Sequence, residues 1–394
     1  MRVCFISPYP PQHHAVARYT KDLIRTLQET EPGLRISVIS HAHTGPEIID
    51  NVNIVRILER KSPFYFAAVL PWILRIKPDV VHVQHDYYAF GGTTNISLAL
   101  LIVLLKLCSI PTVVTMHEVY PKPELSERSR CKALARYLIF KTQTLIVCKC
   151  SGALIVHTNL SRTILQREFG AKRVTTIPHG TRTFATKIPP EDAKKKLNLD
   201  GKRVILCFGS LRAGKGLEYA IESMVAVIER APDAVLLLAG AVAPGSAGYI
   251  ERLSDLSRKL GVENSVIFTK RYVEEEELPL YFSAADIVIL PYLGQFRSGS
   301  GVLHLAASYA KPIVASDVGE AAETLRRCEA GILVPQADNS ALANALIKLL
   351  PDESTRAQMG QNLHTYLVGR SSWENIAETT LRVYRNLISG KNGA

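Results

Sequence analysis

The chain has 394 residues, of which 47% are hydrophobic and 21% charged. This length and apolar content are enough for two domains with substantial cores, and they exclude an intrinsically disordered protein. The formal net charge is +11. Residues 1–190 hold 24 Lys or Arg against 12 Asp or Glu (+12), whereas the remainder holds 23 against 24 (−1). The basic N-terminal half would attract phosphates, anionic lipids or nucleic acid, and a merely solvated basic surface is the alternative.

No apolar run suggests a targeting signal or a membrane span. The run before the proline-rich turn at residues 8–11 is too short for either. The most apolar window, residues 96–116, contains Lys106 and is broken at residues 109–111, which predicts a buried helix followed by a buried strand. The seven cysteines include one C-x-C, without a second pair at zinc spacing, so we expect reduced thiols and no metal site. These features predict a cytoplasmic protein.

Strand-like apolar runs alternate with helix-length amphipathic segments along the chain. The expected strands of the first half are Val3–Ser7, Arg35–Ser40, Val80–Gln84, Thr112–Met116, Ala153–His157 and Val174–Ile177. After a Pro- and Lys-rich stretch the alternation restarts, with expected strands at Val204–Phe208, Val235–Ala239, Val266–Phe268, Ile287–Leu290 and Ile313–Ala315. Two doubly wound α/β domains joined near Pro189 account for this pattern, with a ligand expected in the cleft between them.

The first candidate ligand-binding segment is FGSLRAGKGLEYAIE, in which a strand ends at Gly209 and a helix begins near Leu217. Arg212 and Lys215 lie in the connecting loop. Two cations beside a helix N-terminus suit a diphosphate, because the helix dipole and unpaired N–H groups add to their charge. The spacing is not that of a Walker loop. A solvated basic loop is the alternative.

The second such segment is LPYLGQFRSGSGVLHLAASYAKP, in which a strand ends near Pro291 and a helix begins at Val302. The first turn of that helix exposes backbone N–H groups at Ser300, Gly301 and Val302, which can hold phosphate oxygens. A plain turn between strand and helix is the alternative. Two phosphate-type loops in one domain favour a nucleotide ligand.

Several motifs in order along nearly the whole chain resemble the retaining glycosyltransferase family four. They are ISPYPP, ARYTKDLIRTL, DVVHVQHDYYAFGG, TVVTMHE, ALIVHT, IPHGT, the two loops above, AADIVILPY and AGILVPQADNSALANALIKLL. The resemblance implies the GT-B fold, in which two Rossmann-like domains face a central cleft. It also implies domain bounds at residues 1–185 and 186–370, because SSWENIAETTLRVYRNL resembles the final helix, residues 371–390, that completes the N-terminal acceptor-side domain.

The resemblance also implies roles for individual residues. His117, Arg212 and Lys215 match catalytic positions: the histidine reaches the donor sugar, and the cations grip its diphosphate. The implied donor-binding positions are Ser300, Gly301, Val302, Leu303 and Glu323.

Two positions depart from the family pattern. The usual E-x7-E glutamate pair would fall on Arg297 and Leu305, so neither carboxylate is present. The resemblance is therefore to a variant branch of the family. In this branch Arg297 is a candidate contact to the donor phosphate or sugar. The usual Gly-Gly of the first loop is replaced by His13, His14 and Ala15, whose Cβ atoms limit the approach of a ligand. This loop is expected to serve the donor or the acceptor.

The absence of a D-x-D motif agrees with the metal-independent chemistry that the resemblance implies. Cations and helix dipoles would neutralise the leaving diphosphate, and no metal or cofactor other than the nucleotide-sugar co-substrate is expected. The family implies same-face attack with retention of configuration. Similarity to mannosyl-transferring relatives favours GDP-mannose as donor over UDP-glucose or another UDP-hexose. A non-catalytic nucleotide-sugar-binding protein and a sugar-nucleotide epimerase are the alternatives.

The acceptor is expected to be a glycan or a lipid-linked saccharide. Basic residues flank apolar stretches in ERKSPFYFAAVLPWILRIK and in SERSRCKALARYLIFK, where Arg128, Arg130, Lys132 and Arg136 are candidates for one face of a helix. Such a face predicts peripheral contact with an anionic membrane, at its inner surface. Ordinary core helices with solvated rims are the alternative. Nucleic acid is not an expected partner, because the basic residues are dispersed and no reader motif is present.

Overall fold

The computed structural model describes residues 1–42, 47–87, 89–92, 95–120, 130–182, 188–294 and 299–390, with only the backbone at residues 130–134 and 136. Arg128 and Arg297 lie outside the described residues. The chain divides into two compact units. Unit 1 is Met1–Gly180 together with Trp373–Ala394, and unit 2 is Thr181–Ser372.

Unit 1 contains an eight-stranded sheet within the described part of the chain, in the order β3-β4-β2-β1-β5-β6-β7-β8. Its strands are β1 (Arg2–Ile6), β2 (Arg35–His41), β3 (Ile48–Ile49), β4 (Val52–Leu58), β5 (Val80–His85), β6 (Thr112–Met116), β7 (Ala153–Val156) and β8 (Val174–Thr176). All neighbours are parallel except β3, which pairs antiparallel with β4.

Helices cover both faces of this sheet, which is why its central strands are continuous apolar runs. The helices of unit 1 are α1 (Ala15–Thr30), α2 (Tyr65–Ile76), α3 (Ser97–Leu107), α4 (Arg130–Cys150), α5 (Asn159–Phe169) and α14 (Trp373–Ile388). α2 to α5 pack on one face of the sheet, and α1 and α14 pack on the other. The last helix of the chain therefore completes the first unit.

Unit 2 contains a parallel sheet in the order β11-β10-β9-β12-β13-β14. Its strands are β9 (Arg203–Phe208), β10 (Ala234–Ala239), β11 (Val266–Phe268), β12 (Ile287–Leu290), β13 (Ile313–Ser316) and β14 (Gly331–Val334). Its helices are α6 (Pro190–Lys196), α7 (Leu217–Arg230), α8 (Ala247–Lys259), α9 (Leu278–Ala284), α10 (Gly301–Ser308), α11 (Gly319–Cys328), α12 (Asn339–Leu349) and α13 (Glu353–Ser371). α7, α8 and α12 cover one face, and the other helices cover the opposite face.

The predicted α/β class with two doubly wound sheets is confirmed. Every strand expected from the sequence lies in one of the two sheets, whereas β3, β4 and β14 were not predicted. The most apolar window, residues 96–116, forms helix α3 followed by strand β6, as expected. Among the described residues, no helix combines the length and the hydropathy needed to cross a bilayer.

Candidate functional site

The loops that follow β9 and β12 lie side by side in unit 2. These strands are parallel neighbours, but the chain continues from β9 to β10 and β11 on one side of the sheet and from β12 to β13 and β14 on the other. Such a reversal leaves a crevice at the carboxyl ends of the two strands, where doubly wound folds bind their ligands. The segments 209–216 and 300–303 both border this crevice.

One glycine allows the two loops to pack closely, and another allows a backbone conformation that other residues rarely adopt. Gly216, which precedes α7, has φ +67°, and a Cβ there would lie 1.9 Å from the carbonyl oxygen of Pro291. Gly209, at the end of β9, has φ +110°, and a Cβ there would lie 3.6 Å from Cγ2 of Val302. Because a Cβ at 216 would clash with the backbone of Pro291, glycine at this position permits the basic loop to lie against the loop after β12.

Lys215 and Arg212 bring positive charge into the crevice. The Lys215 side chain is buried, and its Nζ lies 4.2 Å from the centroid of the Tyr292 ring, a cation–π contact. Burial raises the pKa of Tyr292 above its ordinary value, while the nearby charges of Arg212 and Glu320 act on it in opposite directions. Both cations predicted from the sequence thus belong to one site, which also contains a carboxylate.

The start of α10 forms the second wall of the crevice. Ser300 caps the helix, since its Oγ accepts a hydrogen bond of 3.3 Å from the N–H of Leu303. The described residues provide no hydrogen-bond partner for the N–H groups of Gly301 and Val302. Two unpaired N–H groups at a helix N-terminus are suited to phosphate oxygens.

Glu320, near the start of α11, is a site residue that the sequence analysis missed. Its Oε2 accepts a hydrogen bond of 2.7 Å from the N–H of Ser300, and its Oε1 lies 3.1 Å from Nε2 of His304. His304 is buried, and its Nδ1 lies 2.7 Å from the hydroxyl oxygen of Thr181. Glu323 lies one turn further along α11, and its predicted donor contact stays a prediction. The sequence signal that could have identified Glu320 is its position in the first turn of α11, the helix that follows β13, because β13 is the neighbour of β12 in the sheet.

Unit 1 has a corresponding crevice between β1 and β5. The chain continues from β1 to β2 on one side of the sheet and from β5 to β6 on the other. The loop before α1, which contains His13, His14 and Ala15, follows β1, and His117 follows β6. The predicted site residues of unit 1 therefore lie at the carboxyl edge of its sheet.

His117, which follows β6, is held by side chains at the ends of the two neighbouring strands, β5 and β7. Its Nε2 lies 2.8 Å from Oε1 of Gln84, and its Nδ1 lies 3.1 Å from Nε2 of His157. His157 in turn donates through Nδ1 to the carbonyl of Ile177, at 2.9 Å. Burial holds the pKa of His117 well below its usual range, and His157 and His179 lower it further. The imidazole is therefore neutral near pH 7, and both of its nitrogens have partners inside unit 1.

His14 has a local structural role in the loop before α1. It is the N-cap of this helix, and its Nδ1 accepts a hydrogen bond of 3.2 Å from the N–H of Val16. Burial, partly opposed by the charge of Glu118 and assisted by that of Arg60, lowers the pKa of His14 to about 4. His13 and Ala15 are exposed. A role for this loop in donor or acceptor binding stays a prediction.

Arg297 falls outside the described residues, so its predicted donor contact also stays a prediction. Within the part of the chain that the structure describes, no three His, Cys, Asp or Glu side chains are grouped so as to hold a metal ion. The described groups of the unit 2 crevice are cations, unpaired N–H groups and one carboxylate. They suit an anionic ligand that also carries hydroxyl groups.

Two family models match the chain. The model described as Glycosyltransferase Family 4 matches residues 16–183, and the model described as Glycosyl transferases group 1 matches residues 202–352. The first range lies almost entirely in unit 1, and the second contains the whole crevice of unit 2.

The chain is also similar to named glycosyltransferases. It is 30% identical over 210 residues to the D-inositol 3-phosphate glycosyltransferase of Corynebacterium urealyticum, covering 52% of this chain and 48% of that protein. It is 31% identical over 181 residues to the GDP-mannose-dependent alpha-(1-6)-phosphatidylinositol monomannoside mannosyltransferase of Mycolicibacterium smegmatis, covering 44% of this chain and 46% of that protein. These matches span about half the length of the relatives.

The fold as a whole matches solved structures. The sucrose-phosphate synthase of Thermosynechococcus elongatus superposes with a TM-score of 0.80 at 21% identity, over 99% of this chain and 100% of that one. This likeness shows the GT-B fold. The two family models, one described as family four and the other as group 1, together match most of the chain and show that it belongs to the glycosyltransferases.

Proposed function

We propose that this protein transfers a hexose from a nucleotide-sugar donor to a hydroxyl of a glycan or lipid-linked acceptor. The observation that carries the proposal is the crevice of unit 2, where Arg212, Lys215 and the start of α10 meet. A guanidinium can bind two phosphate oxygens at once, and an ammonium adds a point charge. The N–H groups at the start of α10, which have no partner among the described residues, add the positive end of a helix dipole. These groups suit the diphosphate of a nucleotide sugar.

In the proposed reaction, the bond between the anomeric carbon and the β-phosphate oxygen breaks. The acceptor oxygen bonds to that carbon on the same face of the sugar, and its proton passes to the departing phosphate oxygen, so the configuration is retained. Negative charge develops on the diphosphate, where Arg212, Lys215 and the α10 N–H groups stabilise it. Because protein groups supply this stabilisation, we propose a metal-independent reaction without a cofactor.

GDP-mannose is the donor that we propose, and UDP-glucose is the main alternative. The support is the similarity to a relative named as a GDP-mannose-dependent mannosyltransferase. The diphosphate contacts described above are common to both donors. The base and the sugar must therefore be distinguished by other contacts, and a direct comparison of donors is needed.

A panel of sugar nucleotides with purified protein tests the reaction and the donor together. We expect turnover or slow hydrolysis of GDP-mannose, with little change in excess EDTA. Calorimetry with GDP and UDP measures nucleotide binding separately from turnover. Activity with UDP-glucose alone would contradict the proposed donor, and loss of activity in EDTA would contradict metal independence.

The same experiment separates an enzyme from a binding protein. The E-x7-E pair is replaced by Arg297 and Leu305, which makes a nucleotide-sugar-binding protein without catalysis the competing hypothesis. That hypothesis requires calorimetric binding of GDP or UDP and no turnover of any donor. Turnover of any one donor eliminates it.

We also propose that unit 1 contacts an anionic membrane surface from the cytoplasmic side, where it meets a membrane-borne acceptor. α2, α3 and α4 lie on the same face of the unit 1 sheet and expose large apolar side chains. These are Trp72 (37% exposed), Leu74 (46%), Leu107 (75%), Leu138 (53%) and Ile139 (38%). Arg75, Lys77 and Lys106 are exposed on the same helices or at their ends. Apolar groups rimmed by cations suit the headgroup region of a bilayer.

Part of the basic face expected in the sequence is not described. The side chains of Arg130, Lys132 and Arg136 lie outside the described residues, as does Arg128. The membrane proposal therefore depends on the exposed apolar and basic side chains that lie on α2, α3 and α4 or at their ends. Salt-dependent binding to anionic vesicles tests it.

A further inference from the structure

Glu320 places a carboxylate beside the helix start that the proposed function assigns to the donor diphosphate. We propose that this carboxylate accepts a hydrogen bond from a hydroxyl of the nucleotide sugar and thereby helps to select the donor. The inference rests on the proposed function, because it concerns the same crevice of unit 2. It assigns the carboxylate to the sugar or ribose part of the donor and not to its phosphates.

The carboxylate is fixed in place but retains free acceptor capacity. It accepts from the N–H of Ser300 at 2.7 Å, and its other oxygen lies 3.1 Å from Nε2 of His304. The Glu320 side chain is 11% exposed. An ionised carboxylate offers about four acceptor positions, so two contacts leave others available. A rigidly held, partly accessible carboxylate is suited to a hydroxyl donor.

The neighbouring groups explain why a hydroxyl and not a phosphate is the expected partner. Glu320 accepts a hydrogen bond from the N–H of Ser300, while no described residue provides a partner for the N–H groups of Gly301 and Val302. A phosphate held by those two N–H groups cannot also be the direct partner of the carboxylate, since both are negative. In a nucleotide sugar, however, the diphosphate is flanked by hydroxyl-bearing rings, the ribose on one side and the hexose on the other. A carboxylate beside the diphosphate is therefore placed to accept a hydrogen bond from a hydroxyl of the ribose or the hexose.

A purely structural link between α10 and α11 is the competing explanation, and Glu320→Gln separates the two. A glutamine has nearly the same shape, its oxygen can still accept from Ser300, and its amide can donate to His304. The structural link is therefore retained, whereas the negative charge is lost. If Glu320 only joins the helices, the variant binds every ligand at least as well as the wild type, because the repulsion of phosphate is relieved.

The test measures four ligands on the wild type and Glu320→Gln: GDP-mannose, GDP, 2′,3′-dideoxy-GDP and inorganic pyrophosphate, with the UDP series in parallel. We expect the variant to lose about 10- to 100-fold in affinity or kcat/KM for a ligand with the contacted hydroxyl and to lose nothing for pyrophosphate. A loss confined to GDP-mannose assigns the hexose. A loss for GDP that disappears with dideoxy-GDP assigns the ribose.

Other outcomes overturn the inference. Unchanged or tighter binding of all four ligands indicates that Glu320 only joins the helices, and equal losses for all four, pyrophosphate included, indicate that the substitution disturbs the crevice without removing a hydroxyl contact. Glu353→Gln is the matched control, because Glu353 is an exposed glutamate in the first turn of another helix of unit 2. If the wild type binds neither nucleotide, the proposed function itself fails. If the wild type binds and turns over a donor but Glu320→Gln behaves identically, only this inference fails.

Discussion

At the scale of single residues, Lys215 is the side chain with the clearest relation between position and proposed chemistry. It is 8% exposed, which is unusual for a lysine, and its ammonium lies over the ring of Tyr292. The aromatic face compensates in part for the loss of hydration. Because burial has already removed much of its hydration, this ammonium loses little further hydration free energy when an anion binds.

We expect Lys215→Ala to weaken binding of the nucleoside diphosphate by about 10- to 100-fold, because one charge-assisted contact contributes about 1.5–3 kcal/mol. Calorimetry with GDP and UDP measures the change, and melting temperature checks the fold. Lys259→Ala, an exposed lysine at the end of α8, is the matched control and should bind normally. Normal nucleotide binding by Lys215→Ala would remove this residue from the donor site.

The residues of the unit 2 crevice differ in how well the sequence identified them. Arg212 and Lys215 were predicted because a strand, a short basic loop and a helix follow one another directly in the sequence. Glu320 was missed because its contact with Ser300 joins two loops that follow different strands. Linear spacing does not tell which residue of the first helical turn faces the neighbouring loop, and this depends on how α10 and α11 pack.

At the scale of secondary structure elements, α14 joins unit 1 from a distant part of the sequence. It buries Trp373, Ile376, Leu381 and Tyr384 against the sheet face that it shares with α1. A Cβ on Gly180 would lie 2.2 Å from Cε2 of Trp373, so the indole packs directly against the backbone there. The stability of unit 1 therefore depends on a segment from the far end of the chain.

Trp373→Ala should lower the stability of unit 1 by about 3–5 kcal/mol, because it removes a large buried side chain and leaves a cavity. Differential scanning calorimetry measures the shift. Trp72→Ala is the matched control, since Trp72 is the other tryptophan of the chain, lies in the same unit and is 37% exposed. Equal melting temperatures for the two variants would show that the packing of α14 contributes little.

The strands missed from the sequence lie at the edge of a sheet or next to it. β4 carries Asn53 and Arg56 among its apolar residues, and Arg56 donates to the carbonyl of Pro10, so its pattern is less apolar than that of a central strand. β14 is short and begins at Gly331, where a Cβ would lie 2.0 Å from the carbonyl oxygen of Ile313. Strands near a sheet edge need fewer apolar residues, and a glycine in a strand reflects a close approach that the sequence alone does not reveal.

At the scale of the whole molecule, the distribution of charge carries the membrane proposal. The excess of +12 lies within residues 1–190, and the remainder is −1. Each basic residue near an anionic surface contributes about 1 kcal/mol, so a few cations together with exposed apolar side chains are enough for reversible attachment. Attachment of this kind is weakened by salt, because screening shortens to about 3 Å at 1 M ionic strength.

We expect the protein to sediment with vesicles that contain anionic lipid at low salt, and to be released at high salt. Arg75→Glu/Lys77→Glu, at the end of α2, should weaken this binding by about tenfold or more, because two attractive charges become repulsive. Arg258→Glu/Lys259→Glu, at the end of α8 in unit 2, makes the same charge change as a control. Equal binding to neutral and anionic vesicles, or to neither, would leave a soluble acceptor as the better proposal.

The return of α14 to unit 1 also sets an order of events during translation. Residues 1–180 leave the ribosome long before Trp373 is synthesised, so part of their sheet lacks its covering helix while unit 2 is being made. Unit 2 is one continuous segment and has all of its elements once Ser372 has emerged. The second unit can thus finish folding before the first, and the unit 1 sheet keeps part of its apolar face uncovered until α14 has been synthesised and has packed against it.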